Sequence, residues 1–303
     1  LHDKLHMRCR LDKPSRLPKT WTEEPCYYMS HFKRQHPELL LGDPNDNLPE
    51  NSYEAWEAMA YNYALPSVRK MYYNLAEELV TRYEPDGLQL DFLRFPFFFA
   101  RHEAYAQRHL LTALLRKIRN CVQEVARHCG HPIHLIADVP ETVESALRAG
   151  IDTPTWLREG LLDMVTVSRG YYPFSSPWNE VGSLARQAGV PAFACFNHGK
   201  LSGWPAGDTD DELGRQTLRA ATDRALGAGV QGVFLWNHFY EAPCYDHGRG
   251  RTIGLDFTHE LVDRQRLAAA TKTFELDTAF ESQDGPASAH SHTAWKGQVP
   301  LTI

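Results

Sequence analysis

The chain has 303 residues and a net charge of −6, and 43% of it is hydrophobic, 23% charged and 11% aromatic. These are globular proportions, at a length that suits one large or two ordinary domains. A pI near 6.2 supplies no basic field, so nucleic acid is not an expected partner. No stretch of about 18 apolar residues occurs, so no membrane-spanning helix is expected.

Residues 1–63 are rich in Pro, Asn, Asp and His and read as long rim loops with a short helix near Tyr28–His36. From residue 64 one unit recurs: an amphipathic helix, a turn, a buried β-rich run and a polar loop. The first helix opens at Leu65-Pro66, since Pro suits the first helical position. Val68, Met71, Tyr72, Leu75, Leu79, Val80 and Tyr83 follow helical spacing, and Glu84-Pro85-Asp86-Gly87 ends it. The next helix covers 102–128, with Leu111, Leu114, Leu115, Ile118, Val122 and Val125 on one face and Gly130 as its stop.

A short helix at Thr155–Glu159, one at Asn179–Ala188 and one at Asp211–Leu226 each lead into a further apolar run. The five strands so expected lie near residues 87–92, 133–139, 162–168, 191–196 and 230–236. Runs apolar on both faces and separated by helices are what a parallel, helix-covered sheet requires. The expected division is 1–63 as rim loops and short helix, 64–272 as a (β/α) barrel core, and 273–303 as a linker and the start of a further β-rich domain.

The six cysteines show no CxxC pair and no metal-finger spacing, and Cys195, inside an apolar run, reads as a small buried hydrophobe. Neither redox compartment nor localisation is legible. No phosphate-cradling glycine loop or nucleophile elbow occurs, and no cofactor is expected.

Asn62-Tyr63-Ala64-Leu65-Pro66-Ser67-Val68-Arg69, followed by a helix and then Tyr83-Glu84-Pro85-Asp86-Gly87-Leu88-Gln89-Leu90-Asp91-Phe92-Leu93-Arg94-Phe95-Pro96, resembles the glycosyl-hydrolase-like family 10 barrels at their fourth strand. His36-Pro37-Glu38 resembles the segment preceding that strand, and Leu1-His2-Asp3 the end of the third strand in a planctomycete-type branch. The resemblance implies an α/β fold of the (β/α)8 TIM-barrel type that hydrolyses a glycan. On that alignment the five strands are strands four to eight. The chain is then an incomplete barrel cut from a longer protein, unless residues 1–63 supply unusual strands of their own.

Barrel chemistry sits at the C-terminal strand ends. Asp91 closes its strand there, with Arg94 on the following loop, and the plain alternative is a rim salt bridge between the two. Glycoside hydrolysis takes two carboxyl groups. Asp138, with Glu141 just beyond it, is the first choice for the second, against simple capping of the next helix; Glu241 is the other candidate catalytic carboxylate. Arg94, Arg169, Tyr171, Asn197, His198, Trp236 and Asn237 are the expected substrate-binding residues, by hydrogen bonds to hydroxyls and stacking on a sugar face.

The leading expectation is therefore a glycoside hydrolase acting on a poly- or oligosaccharide. A catalytically silent carbohydrate-binding barrel is one alternative. A metal-dependent hydrolase or lyase, using His2, Asp3, His6, His198, His238, Asp246 or His247, is another. None of these has HExxH spacing, and no metal site is assigned.

Overall fold

The computed structural model describes residues 31–43, 46, 48, 53–93, 96–168, 177–197, 211–236 and 258–274. Short helices α1 (His31–Gln35) and α2 (Tyr53–Ala58) precede α3 (Pro66–Tyr83), β1 (Gly87–Asp91), α4 (Ala104–Cys129) and β2 (His134–Pro140). There follow α5 (Val143–Arg148), α6 (Thr153–Arg158), β3 (Met164–Ser168), α7 (Trp178–Gln187), β4 (Ala192–Asn197), α8 (Asp211–Gly227), β5 (Gly232–Trp236), α9 (Thr258–Val262) and α10 (Arg264–Ala269). The chain divides into two compact units, one of residues 1–135 with 146–156 and one of 136–145 with 157–303.

In the first unit α3 and α4 pack together through Val68, Ala76 and Val80 on one side and Leu111, Leu114, Leu115, Ile118 and Val122 on the other, all buried. Burying each such aliphatic side chain contributes about 1.5–3 kcal/mol. Both helices end as their sequences direct. Glu84 closes α3 in the left-handed region (φ 43°), its N–H on Val80 O, and Gly130 closes α4 (φ 80°), its N–H on Ala126 O. The Trp156 indole of α6 donates to Thr112 Oγ1 on α4 at 2.9 Å and its ring meets Phe92 beyond β1 at 5.0 Å between centroids. Ahead of α3, Leu40 and Tyr61 form an antiparallel bridge, and the fully buried Lys33 lies 5.0 Å over the Tyr61 ring.

In the second unit the β2–β3, β3–β4 and β4–β5 pairs are parallel. The register sets Ala137 beside Val165, Val165 beside Ala192 and Val167 beside Ala194. Phe196, of the same parity on β4, meets Trp178 of α7 at 5.7 Å, so this apolar parity is the helix-covered face. Arg219 of α8, almost buried, bonds Glu212 at 2.6 Å and Glu260 of α9 at 2.7 Å. Its guanidinium holds the Glu212 carboxyl below the usual carboxylate range.

The α/β class and the positions of the five strands agree with the sequence expectation, but the TIM-type barrel does not. The strands form one five-stranded parallel sheet in the order β1-β2-β3-β4-β5. Closing a (β/α)8 barrel requires about eight strands bonded in a ring; among the described residues β1 and β5 are instead two edges. Numbering these strands four to eight is thereby overturned. The hydrophobic pattern reports one strand per helix–strand unit and nothing on closure, which the resemblance alone had supplied.

The turn after α5 offers a test of backbone constraint. Gly150 has φ 81° and a Cβ there would lie 2.7 Å from the Phe99 ring, whereas Gly160 has φ 63° with open space around it. Gly160→Ala is expected to cost about 1 kcal/mol in denaturant unfolding, from backbone conformation alone, and Gly150→Ala clearly more, up to about 3 kcal/mol. Equal losses at the two positions would refute the packing account of Gly150.

Candidate functional site

Two strand ends carry the expected chemistry, one in each unit. At the end of β1 the Asp91 side chain is exposed and its Oδ1 accepts the Leu93 N–H at 2.9 Å. The carboxylate therefore shapes the turn leaving the strand, as Asp does where a chain leaves regular structure. Behind it lies a cavity of about 70 Å³, lined by Tyr63, Tyr72, Leu88, Phe92, Phe98 and Leu114 among others, with Asp91 contributing to the lining. Tyr63 stacks on Tyr72 at 4.9 Å and meets Phe98 edge-on at 5.2 Å. Burial, with the neighbouring Tyr72, pushes the Tyr63 hydroxyl well above its ordinary value, so this phenol stays protonated.

The other strand end belongs to the second unit. Successive strand residues face opposite ways, and side-by-side residues of parallel strands share a face. The register Asp138–Thr166, Thr166–Phe193 and Phe193–Gly232 therefore lays one row across four strands, on the face opposite Trp178. Asp138 is 4% exposed and Thr166 2%. Phe193 is half-buried, and a Cβ on Gly232 would lie 2.8 Å from its ring; glycine there makes room for the aromatic.

One step further along the strands come Pro140 beside Ser168 and Cys195 beside Phe234, then Asn197 beside Trp236. Ser168 and Cys195 are buried, and Phe234 and Trp236 are half-buried. Glu141, one residue past β2, is also 4% exposed. Neither Asp138 nor Glu141 is without a polar partner, as burial of a carboxyl group demands. The face thus combines buried carboxyl and hydroxyl groups with half-covered rings.

Of the residues expected from the sequence, Asp91, Asn197 and Trp236 end their strands, whereas Asp138, expected at a strand end, lies inside β2, level with Thr166 in the middle of β3. Asp91 lies in the first unit and the other three in the second. Arg94, Arg169, Tyr171, His198, Asn237 and Glu241 lie outside the described residues, as do His2, Asp3, His6, His238, Asp246 and His247. Among the described residues no group of three or more His, Cys, Asp or Glu side chains is placed to hold a metal ion, and no helix is long and apolar enough to cross a membrane. Sequence reading missed Thr166 and Ser168. Alternation along Met164-Val165-Thr166-Val167-Ser168 was the available signal, since Thr and Ser share one parity.

No protein-family model matches the chain, and no curated protein matches it. Among solved structures it is similar to chitinase ChiA74 from Bacillus thuringiensis, with a TM-score of 0.33 and 14% identity over 45% of this chain. The chain spans 26% of that chitinase chain.

The Asp91 turn bond separates a structural from a chemical role. Asp91→Ala removes the acceptor and is expected to cost about 0.5–1.5 kcal/mol in thermal or denaturant unfolding. Asp91→Asn keeps an oxygen acceptor at the same place and is expected to be nearly neutral. A large loss for the Asn variant would show that the carboxylate charge, not the turn bond, matters to the fold.

Proposed function

We propose that this protein is a glycoside hydrolase that cleaves O-glycosidic bonds in a poly- or oligosaccharide, with Asp138 as one of its reacting carboxyl groups. One observation carries the reading: the face of β2–β5 opposite Trp178 holds the buried Asp138 carboxyl and the Thr166 and Ser168 hydroxyls on β2 and β3, and the half-exposed Phe193, Phe234 and Trp236 on β4 and β5. Sugar rings offer an apolar face for stacking and a rim of hydroxyls for hydrogen bonds, so a site for them needs both kinds of group. A carboxyl group in a desolvated setting is also the kind whose proton affinity can be tuned for acid or base work.

Hydrolysis needs a second carboxyl group. Glu241 and the buried Glu141 are the candidates for it. Arg94, Arg169, Tyr171, Asn197, His198, Trp236 and Asn237 are proposed to bind the sugar chain.

The test is a panel of soluble and insoluble glycans incubated with the full chain, with and without chelator, reading release of reducing ends. Asp138→Asn is expected to lower turnover by about 10²–10⁴-fold, the usual contribution of a positioned acid or base, with unchanged circular dichroism. One of Glu141→Gln and Glu241→Gln is expected to match it. Full activity of the Asp138→Asn variant would remove Asp138 from the chemistry. Glycan binding without turnover in the wild type would instead favour a binding protein on the same face, and loss of turnover with chelator a metal-dependent reaction.

A further inference from the structure

A threonine in a helix has a standing partner for its hydroxyl, the carbonyl one turn back. Thr112 and Thr217 use it, donating to Arg108 O at 3.2 Å and Leu213 O at 2.8 Å. A threonine in the middle of a parallel strand has none, because the flanking backbone groups are taken by the ladders on either side. Thr166 is such a residue. It is 2% exposed, and its Oγ1 has no hydrogen-bond partner among the described residues.

Trp178 Nε1, Thr153 Oγ1 and Thr222 Oγ1 share that condition, but they belong to helices. Among these four, Thr166 alone is on the sheet, and its register neighbour on β2 is Asp138. In-register residues of neighbouring strands stand about 4.8 Å apart and project to the same side, so the hydroxyl and the carboxyl are within reach of one rotamer change.

We propose that Thr166 is a positioning residue for Asp138: its hydroxyl is the donor that the Asp138 carboxylate takes up when it is ionised. The inference rests on the reading of Asp138 as a reacting carboxyl group. A carboxyl that works as acid or base passes between two protonation states, and each wants a different partner. A hydroxyl can serve both, donating to the ionised oxygen and accepting from the protonated one, because its hydrogen rotates freely. Burial by itself disfavours the ionised form, so a donor held ready beside Asp138 brings its proton affinity back toward the working range. Among the described residues of the same unit, Cys195 on β4 is the other titratable group of this parity, and Glu141 lies one residue past β2. On β1, in the other unit, the strand-end carboxylate is Asp91.

The experiment compares wild type, Thr166→Val and Thr166→Ser as full-length chains. The Asp138 carboxyl is followed by carbon-13 NMR titration, with its resonance assigned by its loss in Asp138→Asn. Thr166→Val is expected to raise the Asp138 midpoint by about one pH unit, because a donor to the charged form is gone, and Thr166→Ser to restore it. The same shift is expected in the pH profile of glycan turnover. Below the Asp138 midpoint Thr166→Val is expected to keep or raise the melting temperature, since a methyl replaces a buried hydroxyl that has no bond to lose there; above it the lost bond to the carboxylate is expected to lower the melting temperature. An Asp138 midpoint unmoved by Thr166→Val would overturn the coupling. An unmoved midpoint in an active wild type leaves the hydrolase reading standing. A wild type inert on every glycan sinks that reading and Thr166's role in it, even where the midpoint moves.

Discussion

The parity of a parallel ladder governs this molecule. Once β2 pairs with β3 at Ala137–Val165, every second residue of β2–β5 is committed to the side that faces α7. Alanine, valine and phenylalanine occupy that side, and Asp138, Thr166 and Ser168 are placed on the other. A slip of one residue would turn the Asp138 carboxyl to the side now held by Ala137 and Val139, both fully buried. Burying a carboxyl without partners costs several kcal/mol, so the hydrophobic pattern enforces one register. The chemistry of the polar face is thus a by-product of how the apolar face packs.

Helices are held to this sheet by side chains whose polar ends reach backbone or charge across element boundaries. Arg186 of α7 donates to Gly229 O at 2.6 Å, in the turn before β5. Glu180 accepts the Val143 N–H at 2.9 Å and so ties the start of α5 to α7. Arg219 bridges α8 and α9 through Glu212 and Glu260. None of these groups lies on the polar strand face.

Much of the fold was legible because its signals are local. The α3 stripe from Val68 to Tyr83, Pro66 at its start and Gly130 at the end of α4 are each read within one or two turns of chain. Helix α5 escaped, although Thr142 caps it by accepting the Ser145 N–H at 3.1 Å; Thr142 follows a strand ending in Pro and Glu, and the segment passed for a loop. Sheet closure is a property of strands far apart in sequence, which is why a barrel was inferred from a motif at one strand. The site divides in the same way. Asp138 stands out as a charge in an apolar run. Thr166 does not, because threonine is at home in any strand, and only its pairing with a residue 28 positions away, 138 to 166, gives it a neighbour to act on.

A carboxyl group at Asp138 is hard to account for as a contribution to stability. An ionisable group that is 4% exposed loses its hydration, and even a well-made buried pair commonly does no better than an apolar residue of the same volume. The neighbouring positions show that this face can be filled with apolar volume, since Gly232 yields its space to the Phe193 ring. Thr166 adds a second group of the same kind, a buried hydroxyl where valine would fit. Two adjacent departures from the most stable filling, on one face of the sheet, accord with the proposed working site better than with a structural core.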